Sequence, residues 1–288
     1  YKQFTFAFTI SNRYQRTDLP ITVKVAERTG KYGLTTPLGL KVDTPIKSGR
    51  DVVVTKIEGP RQTVTPVAPQ LTSPADRVPQ NTVPQFSGAV AVILGIEEYR
   101  SAPAATFANR DATIFYEYAK SAFGIPERNI YLATNELATK GTFDKLLGED
   151  GWIARRVTPG ETEVFLFYSG HGAPTVDKST YLIPQDADPN YAKTTGVALM
   201  QLYESLHQLK ARHVTVFIDA CFSGAGRPIQ REQPPMLLAD ARPIFATIEG
   251  VLAYGNMTVM TASTGAQISS GYREQKHGLF TFYLLMGL

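Results

Sequence analysis

Cys221 is the only cysteine in the 288-residue chain, and it follows the run Val-Thr-Val-Phe-Ile-Asp219-Ala. His171 follows a similar run, Val-Phe-Leu-Phe-Tyr-Ser-Gly, 50 residues earlier. A thiol attacks a carbonyl only as thiolate, and an imidazole within reach takes its proton or steadies the anion. Gly170 and Gly172 bracket the histidine and Gly224 lies behind the cysteine, so the chain can turn sharply and a substrate backbone has room to approach. The backbone N–H groups of Gly172 and Cys221 are the nearest candidate donors to a developing oxyanion. Taken singly, Cys221 reads as one more buried small residue and His171 as a satisfied loop histidine. Their paired placement at the ends of apolar runs turns the reading to a catalytic dyad.

A dyad so far apart in the chain needs a scaffold that brings two strand ends together. Both runs lack polar alternation, as strands covered on both faces do. In an open parallel sheet, chemistry collects at the carboxyl ends of strands. Further strands are predicted at 89–96, 129–133 and 257–261. Helices are predicted at 107–123, stopped by Gly124 and Pro126, and at 143–157, 199–209 and 280–288. This alternation predicts an α/β domain over 88–288, with a mostly parallel sheet and helices on both faces. Upstream, Phe4, Phe6, Phe8 and Ile10 alternate with polar or small residues, and 21–25 and 52–57 are strand-like. Residues 1–59 therefore read as a small β-rich module. Residues 60–87 carry six prolines and read as an extended connector, which Val64, Val67, Leu71 and Val78 would let lie along a domain surface.

Composition narrows the function classes. With 43% hydrophobic residues the chain can bury one large core, or a medium one and a smaller module. A net charge of +3 with no Lys/Arg-rich run argues against nucleic acid. One cysteine excludes an intrachain disulfide, and beside four scattered histidines it excludes a Cys-based zinc site. No apolar stretch is long enough to span a bilayer. The start at Tyr1 rather than Met leaves room for a removed leader or upstream domain. Export from a bacterial cell is the compartment favoured, and cytosolic residence stays open.

The segments Tyr168-Ser169-Gly170-His171-Gly172 and Asp219-Ala220-Cys221-Phe222-Ser223-Gly224 resemble those of the caspase-fold cysteine peptidases, nearest to metacaspases and their bacterial relatives. A histidine about 50 residues before the cysteine is a known caspase spacing. Phe107-Ala108-Asn109-Arg110-Asp111-Ala112 and His277-Gly278-Leu279-Phe280-Thr281 agree as well, so the resemblance covers roughly 88–288. Caspases carry Gln where this chain has Asp219. On a strand, i and i+2 share a side, so this carboxylate lies beside the thiol and disfavours the thiolate unless a cation offsets it. The resemblance implies that Asp219, with Asp111 and Ser169, binds an Arg or Lys preceding the scissile bond. Asp219 also reads as a carboxylate capping loop amides, and Asp111 as a helix-face acid holding a loop. Cleavage after Asp would need basic pocket residues; Arg100 and Arg110 lie near the first strand end, but Asp219 argues against that choice.

The remaining features are weaker. His207 and His213 read as surface or packing residues. Asp186 and Asp188 lie where some metacaspases bind activating calcium, but two acids without further convergent oxygens are a poor calcium site, and no cofactor is expected. Arg227, Arg231 and Arg242 lie in a proline-containing loop over 225–250, where an Arg-cutting enzyme would process itself. The expected function is a cysteine endopeptidase acting on proteins or peptides with basic residues. The alternative is a catalytically silent caspase-fold scaffold in a larger assembly. The β-rich module is a candidate to bind the core domain or another protein and so to control the cleft.

Overall fold

The computed structural model describes residues 7–9, 73–80, 85–175, 179–220, 222, 254–262 and 271–288. Cys221, the runs 21–25 and 52–57, and the 225–250 loop lie outside the described residues. In chain order the elements are β1 (Ala7–Thr9), β2 (Val90–Gly95), α1 (Ala108–Glu117), β3 (Ile130–Thr134), α2 (Lys140–Leu147) and β4 (Glu163–Ser169). Three short strands follow, β5 (Gly172–Pro174), β6 (Thr180–Leu182) and β7 (Val197–Ala198), with the one-turn α3 (Ala192–Thr195) before the last. Then come α4 (Leu199–Gln208), β8 (His213–Asp219), β9 (Met257–Thr261), the hairpin β10 (Gly271–Tyr272) and β11 (His277–Gly278), and α5 (Leu279–Gly287).

The main sheet has the order β1-β9-β8-β4-β2-β3. Five strands are parallel, and β1 runs antiparallel on β9 at one edge. This is the mixed α/β sheet with flanking helices that the unbroken apolar runs predict. Each strand feeds both layers, because successive side chains face opposite ways. Val164, Leu166, Tyr168, Val214, Val216 and Ile218 pack under α2 and α4 with Phe143, Leu146, Leu202 and Leu206. Phe165, Phe167 and Phe217 pack against α1 and α5 with Phe115, Phe280 and Phe282. The Phe115 ring stacks on Phe167 at 4.4 Å and meets Phe217 at 5.4 Å. Burial of each such side chain contributes about 1.5–3 kcal/mol. The same parity sends Ser169 and Asp219, at the ends of β4 and β8, to the α1/α5 face.

Two segments differ from the periodicity. The helix predicted over 143–157 is α2, which starts earlier and stops at Gly148. Thr139 caps its start, its Oγ1 accepting from the Thr142 N–H at 3.3 Å. A tight turn through Gly151, where a side-chain carbon would sit 2.6 Å from the Gly148 carbonyl, ends it. Within the proline-rich stretch, Pro74–Asp76 forms one helical turn with a capping box. Ser73 Oγ accepts from the Ala75 N–H, and Asp76 Oδ2 accepts from the Ser73 N–H at 2.7 Å. This turn packs on the α/β domain: Ala75 is fully buried, and the Tyr118 hydroxyl donates to its carbonyl at 3.1 Å.

Candidate active site

His171 sits two residues past the end of β4 and is buried. Its N–H donates to the Tyr99 hydroxyl at 2.8 Å, and its carbonyl accepts from the Tyr168 hydroxyl at 2.7 Å. The Tyr99 ring lies 4.7 Å from the imidazole. Gly170 is required between the two tyrosines, since a side-chain carbon there would lie 2.6 Å from the Tyr99 hydroxyl and 2.8 Å from that of Tyr168. Nε2 is 2.8 Å from the Pro103 carbonyl, which can only accept, so in the neutral ring Nε2 carries the hydrogen and Nδ1 is the basic nitrogen. The ring is thus fixed in place and in tautomer. Gly172 opens β5 and is paired in register with Leu182.

Beside it lies a buried cluster of acids on the α1/α5 face. Asp111 stands in the first turn of α1, which starts from Phe107 at a left-handed φ of 75°. That conformation costs a bulky residue about 1–2 kcal/mol, and it aims the first turn at the strand ends. Gly95 lets α1 come this close to β2: a side-chain carbon there would lie 2.5 Å from the Ala108 carbonyl. Ser169 Oγ donates to Asp111 Oδ2 at 3.0 Å. Asp219 is the register neighbour of Ser169 across β4 and β8. Its Oδ2 accepts from the Thr281 hydroxyl at 2.7 Å and from the Thr281 N–H, in the first turn of α5, at 3.2 Å. Asp111, Ser169 and Asp219 are each fully buried.

Two further residues complete the cluster. His277 Nδ1 lies 2.8 Å from Asp111 Oδ1, and its Nε2 lies 3.0 Å from Asp76 Oδ1. An ionised carboxylate only accepts, so both ring nitrogens donate and the ring is an imidazolium. Burial by itself pushes its pKa down, but the hydrogen bonds and charge of Asp111, then of Asp76, outweigh it and hold the pKa above the usual histidine value. Arg110 pairs with Asp76 at 2.6 Å, and the Gly278 N–H donates to both Asp111 oxygens, at 3.2 and 3.1 Å.

Of the residues singled out in the sequence, Asp111, Ser169 and Asp219 therefore meet, His171 is fixed at the end of β4, and Cys221 lies outside the described residues. Both acids also hold backbone amides, Asp219 at α5 and Asp111 at Gly278, as their structural readings anticipate. Arg110 serves Asp76. Asp186 Oδ1 accepts from the Lys140 N–H, and Asp188 caps the turn at Pro189–Tyr191. Among the described residues no three His, Cys, Asp or Glu side chains are placed to share a metal ion, and no helix is long and apolar enough to cross a membrane. Tyr99, Pro103 and Asp76 escape the sequence reading, and Tyr168 and His277 enter it only inside motifs, with no role of their own. For Asp76 a signal exists: Ser73-Pro74-Ala75-Asp76 has the Ser-x-x-acid spacing of a capping box with proline at the first helical position.

The caspase domain family profile matches residues 89–288, so the chain belongs to the caspase-domain family. At the level of class, residues 89–288 are a domain of the caspase type, the fold of a clan of cysteine peptidases. No curated protein sequence matches the chain. The crystal structure of protein GSU0716 from Geobacter sulfurreducens is similar at 22% identity and a TM-score of 0.34, over 46% of this chain and 50% of that one. The chain thus spans about half the length of that solved protein.

Proposed function

We propose that the chain is an endopeptidase that cuts after Arg or Lys, with Cys221 as nucleophile and His171 as its base. His171 Nδ1 takes the thiol proton, and the thiolate attacks the scissile carbonyl. The resulting oxyanion is held by the N–H groups of Gly172 and Cys221. The imidazolium then gives its proton to the leaving amine, and water attacks the acyl-enzyme with His171 as base to release the acid and restore the thiol. The ring supports this assignment: it is oriented through Tyr99, Tyr168 and Pro103 with its second nitrogen basic.

The observation that carries the specificity is the convergence of Asp111, Ser169 and Asp219 at the carboxyl ends of β4 and β8. Among the described residues the cluster holds three carboxylates, from Asp76, Asp111 and Asp219, against the cations of Arg110 and His277. A buried site lined by carboxylates favours a guanidinium or ammonium and rejects a substrate carboxylate. The test is hydrolysis of fluorogenic peptides ending in Arg, Lys, Gln or Asp by the full chain, with Cys221→Ala as control. Faster cleavage after Arg and Lys is expected. Faster cleavage after Asp would overturn the assignment.

A further inference from the structure

The caspase-domain match begins at residue 89, yet one of the acids in the buried cluster, Asp76, comes from before it. The route is unbroken. Asp76 Oδ1 bonds His277 Nε2, His277 Nδ1 bonds Asp111 Oδ1, and Asp111 Oδ2 accepts from Ser169 Oγ. Asp76 and His277 are 201 positions apart, so neither is fixed by its chain neighbour and each depends on the docking of the other's segment. Asp76 itself is over-determined. Its Oδ2 takes the Ser73 N–H and Arg110, and the segment is tied down again by Ser73 Oγ donating to Gln275 Oε1 at 2.8 Å and by Tyr118 on the Ala75 carbonyl.

We propose that Asp76 and His277 are positioning residues for the basic-side-chain pocket, and that the 73–78 segment, docked through this chain of contacts, sets which way the Asp111 carboxylate faces. The proposal deepens the function proposed above and rests on it, since it takes Asp111 to be a pocket acid. Its physical content is directional. A carboxylate held by Gly278 on both oxygens and by Ser169 on one can still pivot about its Cβ–Cγ bond. The imidazolium on Oδ1, itself held from behind by Asp76, removes that freedom. Without Asp76 the ring loses its second acceptor and swings, and Asp111 follows. The bonds that hold His171, to Tyr99, Tyr168 and Pro103, involve none of these residues. The effect therefore falls on recognition of the basic side chain, and it is read as a change in KM for Arg-ended peptides rather than in kcat.

The experiment compares the 288-residue chain with its Asp111→Asn, Asp76→Asn and His277→Gln variants, on Arg-ended and Gln-ended peptides, alongside thermal melts. Expected are a loss of the Arg-over-Gln ratio of kcat/KM of about 100-fold for Asp111→Asn and about tenfold for the other two, mostly in KM. Loss of the ratio in Asp111→Asn alone, with Asp76→Asn and His277→Gln at the native ratio, overturns the positioning role and leaves the pocket reading standing. An unchanged ratio in Asp111→Asn overturns the pocket reading and this inference with it. Equal losses on both peptides in Asp76→Asn, carried by kcat, also overturn it, because they mark a clasp that only holds the fold. If Asp76→Asn does not fold, Ser73→Ala loosens the same segment without touching a charge. It is expected to lower the ratio about threefold, and a native ratio there overturns the proposal.

Discussion

The two ends of β8 bury a histidine and a carboxylate by opposite means. At the amino end, His213 is 7% exposed and its Nε2 meets the Thr258 hydroxyl at 2.9 Å. Burial, and to a smaller extent Arg212, pushes its pKa down to about 4, so it is held neutral. At the carboxyl end, Asp219 is fully buried in register with Ser169, the partner of Asp111, and His277 is held there as a cation by two acids. Removing a charge from water costs several kcal/mol per ion. The amino end avoids that cost by neutralising its histidine. The carboxyl end meets it by surrounding its charges with partners drawn from α1, α5, β11 and the 73–78 segment. The carboxyl edge of a parallel sheet is where ligands arrive, and it is the end at which these buried charges lie.

The contrast can be broken at several points. Cys221→Ala or His171→Ala is expected to lower peptide turnover on the order of 1,000-fold or more. A residual rate within tenfold of native would remove the dyad. Asp219→Asn keeps an acceptor for Thr281 but loses the charge; kcat/KM for Arg-ended peptides should fall about 100-fold, and far less for Gln-ended ones. Equal losses on both would reduce Asp219 to a cap for α5.

Stability against pH sharpens the comparison, since the two histidines act with opposite sign. For His213, native pKa about 4 against 6.5 unfolded, the contribution is complete above pH 6.5 and is lost as pH falls toward 4. Linkage puts the loss at about 2 kcal/mol by pH 5. His277, raised above 6.5, contributes fully below pH 6.5, and its contribution fades as pH rises through its native pKa. Denaturant melts at a series of pH values should show a flattened acid limb in His213→Gln and a flattened alkaline limb in His277→Gln. Unaltered slopes would mean that neither ring is held as described. The smallest effect belongs to Tyr99→Phe, which removes the acceptor for the His171 N–H. A loss of about 1 kcal/mol, roughly fivefold in kcat with KM little moved, is expected; no change would show that Tyr168 and Pro103 hold the ring unaided.

Legibility in the sequence follows the length of each signal. β2, β4 and β8 are readable because burial on both faces makes them nearly unbroken apolar runs. β5, β6, β7, β10 and β11 are two or three residues long, too short for any periodicity. The helix read over 143–157 ran on because Trp152, Ile153 and Val157 sit at plausible helical spacing, although the turn at Gly148–Gly151 intervenes. In the site, His171 and Asp219 stand out because they end strands, and Asp111 because its motif is specific. Asp76 and His277 do not, since their meeting is a product of tertiary packing between a segment that precedes the α/β domain and the far end of that domain.

The pairing of Ala7–Thr9 with Val259–Thr261 has a consequence for how the molecule meets its own kind. An open outer strand is a template on which another polypeptide can add by hydrogen bonding. Along these three residues the chain's own beginning already occupies that rim. The rim that β1 itself presents is three residues long against the five of β9, so trimming the first ten residues would bare a longer template for strand exchange.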